Sequence, residues 1–173
     1  MTLKRFLRSF FLLVLVLANV SCDQISKHIA RTKLSYYENI NLLDNHFIFT
    51  KVENSGAFLS VGDNLPLPIK LILLNVLPCM VLVFGLYYLT PNKNVPILLA
   101  IGIACTVGGG IGNLYDRISH GSVTDFMHIN YLFIKIGVFN MADVSIILGM
   151  ALILVHLISK KKKIVSTPHS LAE

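Results

Sequence analysis

Charge is scarce in this chain of 173 residues: Asp, Glu, Lys and Arg together make up 14%. Soluble domains carry about 25%. With 54% hydrophobic residues and a mean hydropathy of +0.70, the composition argues against a soluble globule and for a membrane protein. Cysteine is sparse too. Cys22, Cys79 and Cys105 form no CxxC pair and fall in or beside apolar stretches, so buried, inert thiols are expected. The six histidines are scattered and none forms an HExxH, so no metal site and no cofactor are expected. A GxSxG elbow is missing, and so is any evident cysteine–histidine arrangement, which leaves nucleophilic catalysis by serine or cysteine without support. There is no internal repeat, and no low-complexity segment beyond one lysine run.

What is present is apolar sequence in four long blocks. A helix needs about 20 residues to cross a bilayer, and candidate spans lie near Phe6–Cys22, Ile69–Leu89, Val95–Ile111 and Phe139–Ser159. The first and third are short, so they are expected to extend into their flanks or tilt. Net charge is +6, and its placement is informative. Lys4, Arg5 and Arg8 precede the first span, Lys93 lies between the second and third, and Lys160 to Lys163 follow the last. Positive flanks mark the cytoplasmic side, so both termini are expected there, with residues 23–68 and 112–138 on the far side. At helix ends these basic runs read as topology signals, with no nucleic-acid role. Residues 1–22 imitate a secretory signal, and Leu17 to Cys22 imitates a lipoprotein one. Asn19 stands where such a signal would carry leucine, and three further spans follow. An uncleaved first helix is therefore expected, continued by the i,i+4 pair of Asp23 and Lys27.

The first outer segment is long enough to hold structure of its own. His46 to Val52 is rich in aromatic and β-branched residues and predicts a strand; Asn54-Ser55-Gly56-Ala57-Phe58 predicts a turn. Pro66 and Pro68 suit the entry to the second helix, and Tyr131 to Val138 predicts another short strand. The expected fold is therefore a mainly α membrane protein, with four transmembrane helices beside a small β-platform on the outer face. It forms a single integral-membrane domain over 1–173, with a basic cytoplasmic tail over 160–173. The third span ends in Gly108-Gly109-Gly110-Ile111-Gly112-Asn113, where glycines permit close helix packing or access for an extended peptide.

Polar residues stand out against this background. A carboxylate at mid-bilayer costs about 2.5–3.5 kcal/mol on insertion scales, yet Asp125 and Asp143 lie beside span ends. If the fourth helix starts near Phe139, then Asn140, Asp143 and Ile147 share one face; if it starts later, Asp143 serves as a cap. Two acids are available as partners for Asp143. Asp116 is followed by Arg117, which favours an ionised, salt-bridged scaffold. Asp125 sits in Val123-Thr124-Asp125-Phe126-Met127 with no cation close in sequence, surroundings that raise a carboxyl pKa and favour sharing one proton with a second acid. Such a pair supplies a general acid and a general base together.

The set Asp23-Gln24-x-x-Lys27, Asn54-x-Gly56-Ala57, Gly112-Asn113-x-x-Asp116-Arg117, Val123-x-Asp125-Phe126 and Phe139-Asn140-x-Ala142-Asp143 resembles lipoprotein signal peptidase, signal peptidase II, over nearly the whole chain. The resemblance implies a bacterial inner-membrane aspartic endopeptidase without a metal. It would remove signal peptides from prolipoproteins by cleaving before a diacylglyceryl-modified cysteine. By motif, Asp125 and Asp143 match the catalytic dyad. Asn54, Asn113, Arg117 and Asn140 match positions of the site and of globomycin binding. Asp23, Lys27, Gly56, Asp116 and Ala142 match supporting positions. Implied partners are lipid-modified prolipoproteins, membrane lipid and globomycin-type inhibitors, with no nucleic acid and a monomeric enzyme. Gly110 departs from the family's commoner alanine. Two other classes compete on the residues alone. A GxGD-type protease is opposed by Asn113 standing in place of that motif's aspartate. A proton-coupled transporter is opposed by the small number of spans and the missing inverted repeat.

Overall fold

The computed structural model describes residues 2–36, 38–43, 46–56, 65–90, 95–131 and 134–165. The chain runs α1 (Leu3–Lys33), β1 (Ile40–Leu42), β2 (Phe47–Asn54), α2 (Leu67–Tyr88), α3 (Ile97–His120), β3 (Val123–Tyr131), β4 (Ile134–Phe139) and α4 (Met141–Val165). Each of the four helices is long and apolar enough to cross a membrane. The strands form one antiparallel sheet in the order β1-β2-β3-β4.

Helix α3 is the inner member of the bundle. Its small residues Gly102, Ala104, Gly108, Gly109 and Gly112 are buried, and the core of Leu12, Val16, Leu82, Ala100 and Val107 gathers around it. Close approach is what the glycines permit. A Cβ at Gly109 would strike the Ala142 carbonyl oxygen of α4, and one at Gly112 would strike the Asp23 carboxylate of α1. The outer faces carry exposed Phe6, Phe10, Phe84, Leu148 and Leu154. In water such a surface would aggregate; against lipid tails it is satisfied. Cys22 and Cys79 belong to this outward surface and only Cys105 is buried, which corrects the expectation of three buried thiols. In a bilayer an apolar residue gains nothing by facing inward.

The first and third spans extend into their flanks as expected, and the start of the fourth helix differs. α1 runs on past Cys22 to Lys33, because Asp23 and Lys27 find partners inside the bundle. α3 does not stop at its glycines but continues to His120, where Gly121 at φ 78° closes it in the left-handed conformation. α4 starts at Met141 instead of Phe139, which ends β4. The strand expected from His46 is β2, and the one expected near Tyr131 is β4. Strand β3 had no counterpart in the sequence reading, since Asp125, His128 and Asn130 interrupt its apolar pattern. Pro66 and Pro68 do open α2. Ala57, Phe58 and Lys93 lie outside the described residues, as does the tail beyond Val165.

The sheet packs on the far end of α1. Ala30 and Leu34 meet Phe126 and Met127, flanked by Phe47, Phe49 and Phe139, with Phe49 stacked on Phe126 at 6.5 Å. At the opposite end of the bundle the Arg8 guanidinium donates to the Val95 carbonyl, next to the connection between α2 and α3. The sheet and the Arg8–Val95 contact thus lie at opposite ends.

Candidate active site

Four separate stretches bring their polar side chains to one place at the sheet end. In the antiparallel register Val52 of β2 faces Asp125 of β3, so Asn54 lies diagonally across from Asp125 on the same side. On α3, Asn113 and Arg117 lie one turn apart. Asn140 precedes the first turn of α4. Its side-chain Oδ1 accepts from the Asp143 backbone N–H at 3.0 Å, while Asp143 Oδ2 accepts from the Asn140 N–H at 3.2 Å. This is a reciprocal capping box. The cap and the site face, posed above as alternatives for Asp143, are the same arrangement.

Both carboxylates are fully engaged. Asp125 Oδ1 accepts from Asn140 Nδ2 at 2.6 Å and its Oδ2 from Asn54 Nδ2 at 3.0 Å. Asp143 Oδ1 accepts from Asn113 Nδ2 at 2.9 Å. Each of these amides is oriented by what its own oxygen accepts. Asn54 Oδ1 takes the Gly56 N–H at 2.9 Å, Asn113 Oδ1 takes Lys27 Nζ at 2.9 Å, and Asn140 Oδ1 takes the Asp143 N–H. A flipped amide would set oxygen against oxygen, so all three NH2 groups are aimed at the acids. Asp125 is buried at 3% exposure. Burial raises its pKa from 3.8 to about 6; the Asn54 amide opposes the rise, the neighbouring Asp143 charge adds to it, and Asn140 and Lys27 oppose it.

Beneath the acids lies a second layer. Lys27 and Asp23 are completely buried, as is Asp116. Lys27 Nζ meets Asp23 at 2.8 Å and Asp116 at 3.0 Å, and its third donor goes to Asn113. Asp116 also pairs with Arg31 Nη2 at 2.9 Å, while Arg31 Nε donates to Thr124 Oγ1 at 2.8 Å. Asp23 Oδ1 accepts the Ala142 N–H at 2.9 Å, pinning the first turn of α4, and Ala142 itself has no exposed surface. Two cations thus balance two acids, with Gln24 donating to both carboxylates.

The expected pairing of Asp116 with Arg117 is corrected by these contacts. Neighbours on a helix diverge by about 100°, and Arg117 turns to the other side, where its Nη2 donates to the Gly56 carbonyl at 2.9 Å. Arg31 and Thr124 were not anticipated as members of the network, nor was Glu53, which accepts from Thr124 and Ser122. Arg31 was findable: it follows Lys27 by one turn on the face that already carries Asp23.

Asn54, Asn113, Arg117, Asp125 and Asp143 line one cavity of about 440 Å³, walled on its apolar side by α2 and α4 through Leu73, Pro78 and Ile147. Gly110 also lines it while resting on Leu82, so the glycine run serves helix packing and leaves room beside the acids.

Similar proteins share this arrangement of helices. Two solved structures of a bacterial membrane enzyme, both obtained by the in meso method, superpose on the chain. One has a TM-score of 0.79 at 21% identity, covering 94% of each chain. The other has a TM-score of 0.72 at 23% identity, covering 85% of this chain and 92% of its own. Relatives named lipoprotein signal peptidase are found in Clostridium tetani (strain Massachusetts / E88), 30% identical over 86% of this chain and 92% of the relative, and in Clostridium novyi (strain NT), 28% identical over 86% and 98%. The family model described as signal peptidase (SPase) II matches residues 15–159, a stretch that holds every residue of the acid cluster and of the ion layer beneath it, and the chain belongs to that family.

Proposed function

We propose that Asp125 and Asp143 are the catalytic dyad of a lipoprotein signal peptidase, cleaving prolipoproteins immediately before a diacylglyceryl-modified cysteine. The observation that carries this reading is the convergence of two carboxylates on one cavity, with the acid on β3 holding its proton to about pH 6. In the working state one acid is protonated and the other ionised. The ionised acid takes a proton from water as the water oxygen bonds to the scissile carbonyl carbon, and the protonated acid delivers its proton to the carbonyl oxygen. Collapse of the resulting diol breaks the carbon–nitrogen bond, with a proton passing to the leaving amine. Asn54, Asn113 and Asn140 hold the acids in place without rearrangement during turnover. Arg117 braces the segment after Asn54 through the Gly56 carbonyl, and its cation faces the cavity where substrate carbonyls and globomycin-type inhibitors would lie. Asp23, Lys27, Asp116 and Ala142 support this layer from below.

The chain forms a single domain and works as a monomer in the bacterial cytoplasmic membrane. Both termini lie in the cytoplasm, and the sheet and the acids lie at the outer face. Supporting this orientation, Arg5, Arg8 and Lys160 sit at the bundle end away from the sheet. A signal peptide is itself an apolar helix, and its cleavage site would emerge from the bilayer at the level of the dyad.

The deciding experiment is cleavage of a synthetic diacylglyceryl-modified precursor by purified protein. Asp125→Asn and Asp143→Asn should each lower the rate by on the order of 10²–10⁴-fold, the span of a lost general acid or base. Full turnover by both variants would remove the dyad from the mechanism.

A further inference from the structure

Helix α2 carries one amide side chain, Asn75, within an apolar span. It lies in a π-helical turn over Ile72–Val76, and such turns occur frequently at functional sites. Asn75 is half-buried and lines a second cavity, of about 490 Å³, between α2 and α3, together with Cys79, Met80, Leu114 and Ile118. No hydrogen bond to its side chain is made by any described residue. In hydrocarbon an amide has no water to turn to, and intramembrane polar groups normally answer a partner.

The cavity adjoins the acid-lined one. Leu114 walls both, and on α2 the residues alternate between them: Leu74 and Pro78 face the acids, while Asn75 and Cys79 face the second cavity. The level of Asn75 follows from the antiparallel packing of α2 on α3, which sets Gly85 beside Val107 and Gly110 beside Leu82. Counting along both helices puts Asn75 opposite Arg117, about one helical turn nearer the sheet end than Asn113. An apolar slot whose described lining carries one amide at its upper end, one wall away from the acids, has the chemistry of an acyl chain topped by a carbonyl.

We propose that this second cavity seats one acyl chain of the diacylglyceryl group on the substrate cysteine, and that the Asn75 amide donates to that chain's ester carbonyl, making Asn75 a specificity residue. The proposal rests on the peptidase reading above. A substrate lying with its scissile bond at the acids carries its glyceryl thioether only a few bonds away, within reach of the shared Leu114 wall. Asn75 takes no part in the chemistry.

The test compares two synthetic precursor peptides of identical sequence and chain length. One carries the diacylglyceryl cysteine and the other a dialkylglyceryl cysteine, whose ether links keep the chains and remove the carbonyls. Full-length protein is assayed in nanodiscs of ester phospholipid and again in nanodiscs of ether phospholipid. The wild type should favour the ester precursor by about fivefold in KM, the equivalent of one ordinary hydrogen bond. Asn75→Leu should bring the ester precursor to the ether value while kcat and the ether constants stay as they were. Asn75→Ala should do the same, so a misfolded Leu variant does not leave the question open. An ester-to-ether ratio unchanged in the variants overturns the proposal. So does a ratio that follows the nanodisc lipid instead of the precursor, which would mean that a bilayer phospholipid occupies the slot. Failure of the wild type to cleave either precursor overturns the peptidase reading itself, a separate outcome.

Discussion

The proton on Asp125 is held by burial, and that gives a measurable pH dependence. A carboxyl whose pKa is about 6 in the fold and 3.8 in its ordinary state binds its proton more tightly when folded. Its stabilising contribution is therefore complete below the ordinary value and is lost as pH rises through the folded one. The melting temperature of wild-type protein in detergent should fall relative to Asp125→Asn between about pH 4 and pH 6 and run parallel above that range. Parallel curves throughout would show that the acid is not held protonated. Lys27 and Asp116 give a second contrast. Lys27→Met leaves Asp23 without a cation in the interior and Asp116 with Arg31 alone, a defect of about 3–5 kcal/mol, and frees the Asn113 amide to turn away from Asp143. Asp116→Asn keeps Lys27 paired with Asp23 and leaves Asn113 oriented. Thermal shifts with single-turnover rates should show Asp116→Asn less stable than wild type yet active when folded, and Lys27→Met deficient in both. Unchanged melting with lost cleavage in Asp116→Asn would move that residue into the chemistry.

Among the elements, α3 is the one that others are built around, and its glycines differ in what stands opposite them. A methyl at Gly109 meets the Ala142 backbone, which cannot move without shifting the first turn of α4; at Gly110 it meets only the tip of Leu82. Gly109→Ala should therefore lose about 1–3 kcal/mol, the cost of overpacking, and most of its cleavage activity. Gly110→Ala should stay close to wild type in melting temperature, which a side-by-side thermal melt will check. The elements were unevenly legible in the sequence. The four apolar blocks, the β2 strand, the Asp23–Lys27 pair and the two acids of the cavity could be read from composition and spacing, because membrane burial makes each polar residue conspicuous. How far α1 and α3 run beyond their apolar blocks was not legible. Hydropathy ends a span where charge begins, and it does not register that Lys27, Arg31, Asp23 and Asp116 neutralise one another inside the bundle. Strand β3 was hidden for the same reason: its polar residues belong to a site assembled by long-range contacts. The Asp116–Arg117 expectation failed because sequence adjacency on a helix is not spatial adjacency.

For the molecule as a whole, every feature of the site is gathered at one end of an apolar bundle whose other end is basic. Reporter fusions should place residue 160 in the cytoplasm and the β2–β3 edge outside; a periplasmic reporter signal at the C-terminus would reverse the orientation. The same assembly sets a chemical lifetime. The acids are held by three side-chain amides, and asparagine is among the thermally labile residues because its amide hydrolyses slowly to a carboxylate. At residue 54, 113 or 140 that change keeps the size and shape of the side chain. Yet it would replace a donor by a third acid beside the pair. An ageing population of this protein would then lose its function one amide at a time, and mass gains of a single dalton at those positions would be its record.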